Sequence, residues 1–123
     1  MKVGFIGLGN VGAKLAGSIF RNGYDLTVRD LGKTKAQHFL GQGAKWGESP
    51  REIAQNCDIV ITCLPSPAVC SAVMEADDGV IAGLSAGKIW AEMSTTDESE
   101  VKRIGALVKA KGEIGRASGR ERV

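Results

Sequence analysis

The sequence predicts an α/β domain built on a doubly wound parallel sheet, and three observations carry that expectation. Short apolar runs alternate with helix-period segments about five times along the chain, the pattern of parallel strands joined by right-handed helical crossovers. Residues 57–64, Cys-Asp-Ile-Val-Ile-Thr-Cys-Leu, form a nearly continuous β-branched run, as expected of a strand buried on both faces. Gly7, Gly9 and Gly12 follow an apolar run and precede a helical pattern, which is the context of a tight turn from strand into helix.

Taken in order, Val3, Phe5 and Ile6 predict the first strand. A helix then carries Val11, Leu15, Ile19 and Phe20 on one face, with Lys14, Ser18 and Arg21 off it, and stops at Gly23. Leu26, Thr27, Val28 and Arg29 make a second strand that ends at Asp30. Residues 33–41 read as a short helix with Ala36, Phe39 and Leu40 inward, and residues 44–46 as a brief third strand. Ser49 and Pro50 start the next helix, serine as the cap and proline in the first turn.

The long β-branched run then stops at Pro65, and Ser66 with Pro67 opens a helix bearing Val69, Ala72 and Val73. Residues 80–84 read as one helical turn, residues 88–91 as a fifth strand, and Val101, Ile104, Leu107 and Val108 as the inward face of a last helix ending at Gly112. Thr95 with Glu98, or Thr96 with Ser99, has the spacing of an N-terminal cap for it.

The glycines point to a ligand. Gly7 permits the turn off the strand, Gly9 lets backbone approach a pyrophosphate, and Gly12 lets the helix pack close to the sheet. Free amides at the helix start, with the positive end of its dipole, hold phosphates. Asp30 at the tip of the second strand is placed to accept hydrogen bonds from an adenosine ribose, the alternative being a solvated turn residue beside Gly32. Leu64 and Pro65 lie at the carboxyl end of the fourth strand, and Ser94, Thr95 and Thr96 follow the fifth, where open parallel sheets bind their ligands.

Composition narrows the partners. The chain has 123 residues, enough for one domain with its own core. A net charge of +2 with dispersed basic residues gives no nucleic-acid groove and no membrane-binding surface. Cys57, Cys63 and Cys70 are odd in number and lack a C-x-x-C spacing, so neither a disulfide framework nor a metal site is indicated. His38, the single histidine, reads as a surface residue. No signal peptide or spanning run is legible, so the expected setting is reducing and cytoplasmic.

Three ordered motifs carry a family likeness. Residues 4–12, Gly-Phe-Ile-Gly-Leu-Gly-Asn-Val-Gly, then Cys63, Leu64 and Pro65, then Met93, Ser94, Thr95 and Thr96 resemble the N-terminal domain of the β-hydroxyacid dehydrogenases, over residues 2 to about 112. That family includes 3-hydroxyisobutyrate dehydrogenase, tartronate semialdehyde reductase and relatives of 6-phosphogluconate dehydrogenase. The resemblance implies a Rossmann domain and a nicotinamide cofactor. It implies contacts from Gly7, Leu8, Gly9, Asn10, Val11 and Gly12, from the backbone at Leu64 and Pro65, and from Ser94 and Thr95 near the nicotinamide. It also implies hydride transfer to or from a small β-hydroxyacid, in a parent enzyme that is a homo-oligomer.

Departures from the family pattern are informative. NADP-using members commonly carry Asn-Arg-Thr after the second strand, where this chain has Asp30, Leu31 and Gly32. A carboxylate repels a 2′-phosphate and bonds a 2′-hydroxyl, so NAD is expected over NADP, although Arg29 could swing toward a phosphate. Glu92 stands where an aspartate is usual. The family's later substrate loop and all-helical domain, with its catalytic lysine, have no counterpart here, so no catalytic residue is assigned and the chain reads as a cofactor-binding fragment that turns over nothing by itself.

Residues 113–123 lose apolar periodicity where a sixth strand is due. Glu-Ile-Gly-Arg-Ala at 113–117 is what a sequencing adapter read in frame would encode, so residues 1–112 are expected to form the dinucleotide-binding domain and 113–123 a non-native or disordered tail. Two competing functions remain on the sequence: a stand-alone dinucleotide-sensing module without catalysis, and a methyltransferase, which the residues at 64–65 and 94–95 disfavour.

Overall fold

The computed structural model describes residues 1–85, 87–93 and 98–110. The expected tail at 113–123, the helix stop at Gly112, the sixth strand, and Ser94, Thr95 and Thr96 with their capping role lie outside the described residues.

Among the described residues five strands, β1 (Lys2–Ile6), β2 (Asp25–Arg29), β3 (Lys45–Trp46), β4 (Ile59–Thr62) and β5 (Ile89–Glu92), form one sheet in the order β3-β2-β1-β4-β5. Every neighbouring pair is parallel. The chain winds outward from β1 to β3, returns beside β1 as β4, and continues outward to β5. Strand order therefore reverses between β1 and β4, where a crevice opens at the carboxyl ends. Register aligns Arg29, Ile6, Thr62 and Glu92 in one row across that edge, each the last residue of its strand.

Among the described residues six helices cover the sheet: α1 (Asn10–Arg21), α2 (Gln37–Leu40), α3 (Pro50–Asn56), α4 (Pro67–Glu75), α5 (Val80–Gly83) and α6 (Glu98–Ala110). The expected helix over 33–41 is a 3-10 turn, Lys33–Ala36, running into α2. Alternation of side chains along each strand divides the core into two layers. Val3, Phe5, Leu26 and Val28 pack with Ala16, Ala36 and Phe39 on the α1 and α2 face. Ile6, Val60 and Trp90 pack with Ile53, Met74, Ile104 and Val108 on the other. On this second face Trp90 Nε1 donates to Thr62 Oγ1 at 2.9 Å, so the polar atoms of two fully buried residues satisfy each other.

The local signals at helix starts hold. Ser49 Oγ accepts from Glu52 N at 3.1 Å and Ser66 Oγ from Val69 N at 3.2 Å, each with proline in the first turn. The expected inward residues mostly pack on the core, Leu15, Ile19 and Phe20 of α1, Val69 and Val73 of α4 and Ile104 and Val108 of α6 among them, with one exception on each of these three helices. Val11 is 62 % exposed, while α1 presents Gly12 and Ala16 to the sheet. Small residues there permit a closer approach than a stripe of large ones. On α4 the buried residues are Cys70 and Met74, with Ala72 exposed, and on α6 Leu107 is on the exposed side. The β4 run is buried on one face at Val60 and Thr62, whereas Ile59 and Ile61 are half-buried.

α4 and α6 are tied at the surface by Arg103, whose guanidinium donates to both carboxylate oxygens of Glu75, at 3.1 and 2.6 Å, and to Glu100 at 3.0 and 2.9 Å. Hydrogen bonds from Arg103, then from Ser71, hold the Glu75 carboxyl down to about 2 from its ordinary 4.5. A carboxyl with a depressed folded value contributes stability above its unfolded value and loses it as pH falls toward the folded one. Acid unfolding of the wild type is therefore expected to steepen between pH 4.5 and 2. Arg103→Ala should remove that component; superimposable acid curves for the two proteins would refute the assignment. The pair is exposed and screened, so the effect is small.

Candidate dinucleotide-binding site

The crevice at the strand reversal is built from main chain. Gly7 follows β1 with φ +107, and a Cβ there would lie 2.1 Å from the carbonyl oxygen of Cys63. Its amide donates to Arg29 O at 2.9 Å, and the Cys63 amide donates to Ile6 O at 2.9 Å. The turn is thus fastened to β2 on one side and β4 on the other. A Cβ on Gly12 would lie 2.1 Å from Gly7 O, so the first turn of α1 is packed directly on the loop that precedes it. Leu8 is 2 % exposed and plugs the base of the turn.

Gly9 differs from its two neighbours in the motif. Its φ of −70 and ψ of −170 suit any residue, and a Cβ there would meet nothing within 4 Å. Nothing among the described residues demands glycine at this position. What a side chain would fill is the open space in front of α1. No side chain caps α1, and its first turn holds no acidic residue, so the first-turn amides are left for water or a ligand. A bare backbone before an uncapped helix start fits an anionic diphosphate. Asn10 and Val11 are both exposed on this rim.

Asp30 lies one residue beyond the β2 end of the same row. It is half-buried, and its Oδ1 accepts from Leu31 N at 2.9 Å, which fixes the carboxylate at the tip of the strand. Leu31 is 92 % exposed. Arg29 is engaged elsewhere: its Nη1 donates to Gly47 O and Glu48 O, both at 2.8 Å, and its guanidinium lies 5.3 Å from the centre of the Trp46 ring. Lys33 Nζ is 5.4 Å from the same ring. The structure thus brings Gly7 to Gly12 and Asp30 to one edge and draws Arg29 to the turn after β3.

Leu64 is buried and Pro65 exposed just past β4, at the same carboxyl edge. Beneath them the interior carries a group that the sequence marked only as a departure. Glu92 is 1 % exposed, and its Oε2 accepts from the Cys70 thiol at 2.9 Å. Burial, then the Glu92 hydrogen bond, pushes the Cys70 thiol far up, so the sulfur is the donor and the carboxylate the acceptor. Cys63 is also raised, by burial and then by the Glu92 charge. Residues 70 and 92 are joined only by the fold, and no spacing rule would have paired them.

A pocket of about 200 Å³ bordered by Lys2, Asp25, Lys45, Glu52 and Asn56 lies at the opposite, amino end of β1 and β2 and has no part in this crevice. Among the described residues no group of three or more His, Cys, Asp or Glu side chains could hold a metal ion, and no helix is long and apolar enough to cross a membrane.

Fold and crevice together define a dinucleotide-binding domain of the Rossmann class. The model of the NAD binding domain of 6-phosphogluconate dehydrogenase matches residues 2–114, and the chain belongs to that family. It is 30 % identical over 111 residues to the human cytokine-like nuclear factor N-PAC, covering 90 % of this chain and 20 % of that protein. It is 32 % identical over 114 residues to glyoxylate/succinic semialdehyde reductase 2, chloroplastic, of Arabidopsis thaliana, covering 93 % and 32 %. The solved 3-hydroxyisobutyrate dehydrogenase of Mycobacterium tuberculosis with L-serine superposes with a TM-score of 0.81 at 25 % identity, covering 93 % of this chain and 38 % of that one. The chain therefore spans well under half the length of these relatives, and the family model that it matches is that of an NAD-binding domain.

Proposed function

We propose that the chain is the cofactor-holding part of an oxidoreductase that prefers NAD and acts on a small β-hydroxyacid of the 3-hydroxyisobutyrate kind. The observation that carries the cofactor reading is the unfilled space at Gly9 before the uncapped start of α1. The amides of residues 9–12 hold the diphosphate, Asp30 receives the adenosine ribose, and Leu64, Pro65, Ser94 and Thr95 border the nicotinamide half. The nicotinamide, when bound, supplies or accepts the hydride. Proton transfer at the reacting oxygen needs an acid/base group, which the family likeness gives to a lysine outside this domain. The whole protein is read as a cytoplasmic homo-oligomer with no nucleic-acid or membrane partner.

NAD is expected to raise the melting temperature, by the equivalent of about 2.7 kcal/mol at a hundredfold excess over Kd. Incubation with NAD and 3-hydroxyisobutyrate should give no NADH. Turnover by the chain alone contradicts the division of labour. Cofactor preference has its own test. Asp30 presents a carboxylate, and the Arg29 guanidinium is tied to the Gly47 and Glu48 carbonyls and so drawn away from a 2′-phosphate. Asp30→Asn combined with Leu31→Arg should shift the NADP-to-NAD affinity ratio at least tenfold toward NADP, ~1.4 kcal/mol. An unchanged ratio in calorimetry sinks the role given to Asp30.

A second reading, a dinucleotide-sensing module without catalysis, is supported by the similarity to N-PAC, a protein named as a nuclear factor. Under that reading no β-hydroxyacid changes the affinity for NAD.

A further inference from the structure

The polar cavity at the amino end of the sheet has a floor of strand and a wall of helix. Leu26 and Val28 of β2 pack into the α1 and α2 layer, so Asp25 and Thr27 between them stand on the other face. The register sets Lys2 of β1 beside Asp25 and Lys45 of β3 beside Thr27. Helix α3 makes the wall. Its Ile53 is 1 % exposed and lies so close over Gly4 and Gly47 that a Cβ on either would come 2.2 or 2.3 Å from it, which presses the helix against the sheet. Glu52 and Asn56 of the same helix border the cavity, whose volume is about 200 Å³.

Its charges are of both signs and in balance. Lys2 and Lys45 bring ammonium groups, Asp25 and Glu52 carboxylates, and Asn56 a carboxamide. Among the described residues the Lys2 ammonium and the Asn56 carboxamide have no hydrogen-bond or ion-pair partner. Lys45 and Asp25 meet only at 3.5 Å, with side chains 66 % and 43 % exposed, and Glu52 gives one oxygen to the Glu48 amide at 3.2 Å. Bonding capacity of each sign is therefore left over. A solute with one charge meets repulsion there along with attraction, whereas one that carries both finds a partner for each. We propose that this cavity binds a small zwitterion of the free α-amino acid class, with its carboxylate between Lys2 and Lys45 and its ammonium between Asp25 and Glu52. The volume agrees, since at about 30 Å³ for each water-sized group it holds roughly seven non-hydrogen atoms. The site lies at the opposite edge of the sheet from the dinucleotide crevice and does not rest on that reading.

Amide NMR of the labelled 123-residue chain, titrated separately with L-alanine, propionate and ethylamine, tests the proposal. The last two are alanine without its amine and without its carboxylate. L-alanine should give saturable shifts at Lys2, Asp25, Lys45 and Asn56, with a Kd on the order of 1–10 mM, and each analogue should bind roughly tenfold more weakly or worse. Two variants should then move the ranking in opposite directions. Lys45→Gln leaves negative charge in excess, so ethylamine should gain on L-alanine; Asp25→Asn leaves positive charge in excess, so propionate should gain. A merely structural role for these side chains would weaken all three ligands alike and leave the ranking unmoved, which overturns the proposal. Analogues bound by the wild type as tightly as L-alanine overturn it too, whether or not the variants fold. Shifts on adding NAD at residues 8–12, with no saturable response to L-alanine at the amino edge, would sink this site and leave the dinucleotide reading standing.

Discussion

Gly9→Asp is expected to abolish dinucleotide binding while leaving the domain as stable as before or more so. The backbone at position 9 is extended at φ −70, which aspartate adopts readily, and a Cβ there meets no atom within 4 Å. Position 9 is also the N-cap of a helix that has no side-chain cap. Aspartate is among the best residues for that position, and replacing glycine by it changes helix stability by only a few tenths of a kcal/mol, to which its charge adds ~0.3–1 kcal/mol at the positive end of the dipole. The same carboxylate occupies the amides that the diphosphate needs and repels its charge. The loss in NAD affinity should exceed roughly a hundredfold, ~2.7 kcal/mol. A melting temperature held or raised together with lost binding is the signature of a glycine kept for a ligand. If Gly9→Asp binds NAD like the wild type, the crevice in front of α1 is not where the cofactor goes.

Gly7→Ala, two residues earlier, is expected to fail in the opposite way. Here φ is +107, where an L-residue costs about 1–2 kcal/mol, and the new Cβ falls 2.1 Å from Cys63 O. That oxygen belongs to main chain leaving β4, so relief requires the reversal point itself to open. A cost of ~3 kcal/mol or more is a large part of the 5–15 kcal/mol typical of a domain and should lower the melting temperature by roughly 10 °C or more. Gly12→Ala meets Gly7 O at the same 2.1 Å and should be destabilising for the same reason, without the backbone strain. A Gly7→Ala protein that melts with the wild type would show that the turn is not fastened between β2 and β4.

How much of this could be read from the sequence follows from how local each determinant is. The caps at Ser49 and Ser66 depend on the hydroxyl and an amide three residues on, and both were legible. The parallel sheet and its reversal point followed from the alternation of runs, and the glycine turn from its own spacing. The place of Val11 was not legible: periodicity finds the apolar stripe, of which Leu15, Ile19 and Phe20 do pack on the core, but the first turn of α1 buries Gly12 and leaves Val11 out at the rim. Arg29 looked free in the sequence because its acceptors, the carbonyls of Gly47 and Glu48, are main-chain atoms that any residue offers. Glu92 was noticed only as an aspartate grown by one methylene. Its partner at residue 70 lies across the interface of α4 and β5, where no pattern along the chain reaches.

Backbone amide NMR of the labelled chain, titrated with NAD, tests the central claim most directly. The account predicts the largest shift changes at Leu8, Gly9, Asn10, Val11 and Gly12, a second group at Asp30 and Leu31, and little change at Lys2, Asp25 and Lys45 on the opposite edge. Saturable binding whose shifts spare residues 8–12, or gather around Lys2, Asp25 and Lys45, would contradict it.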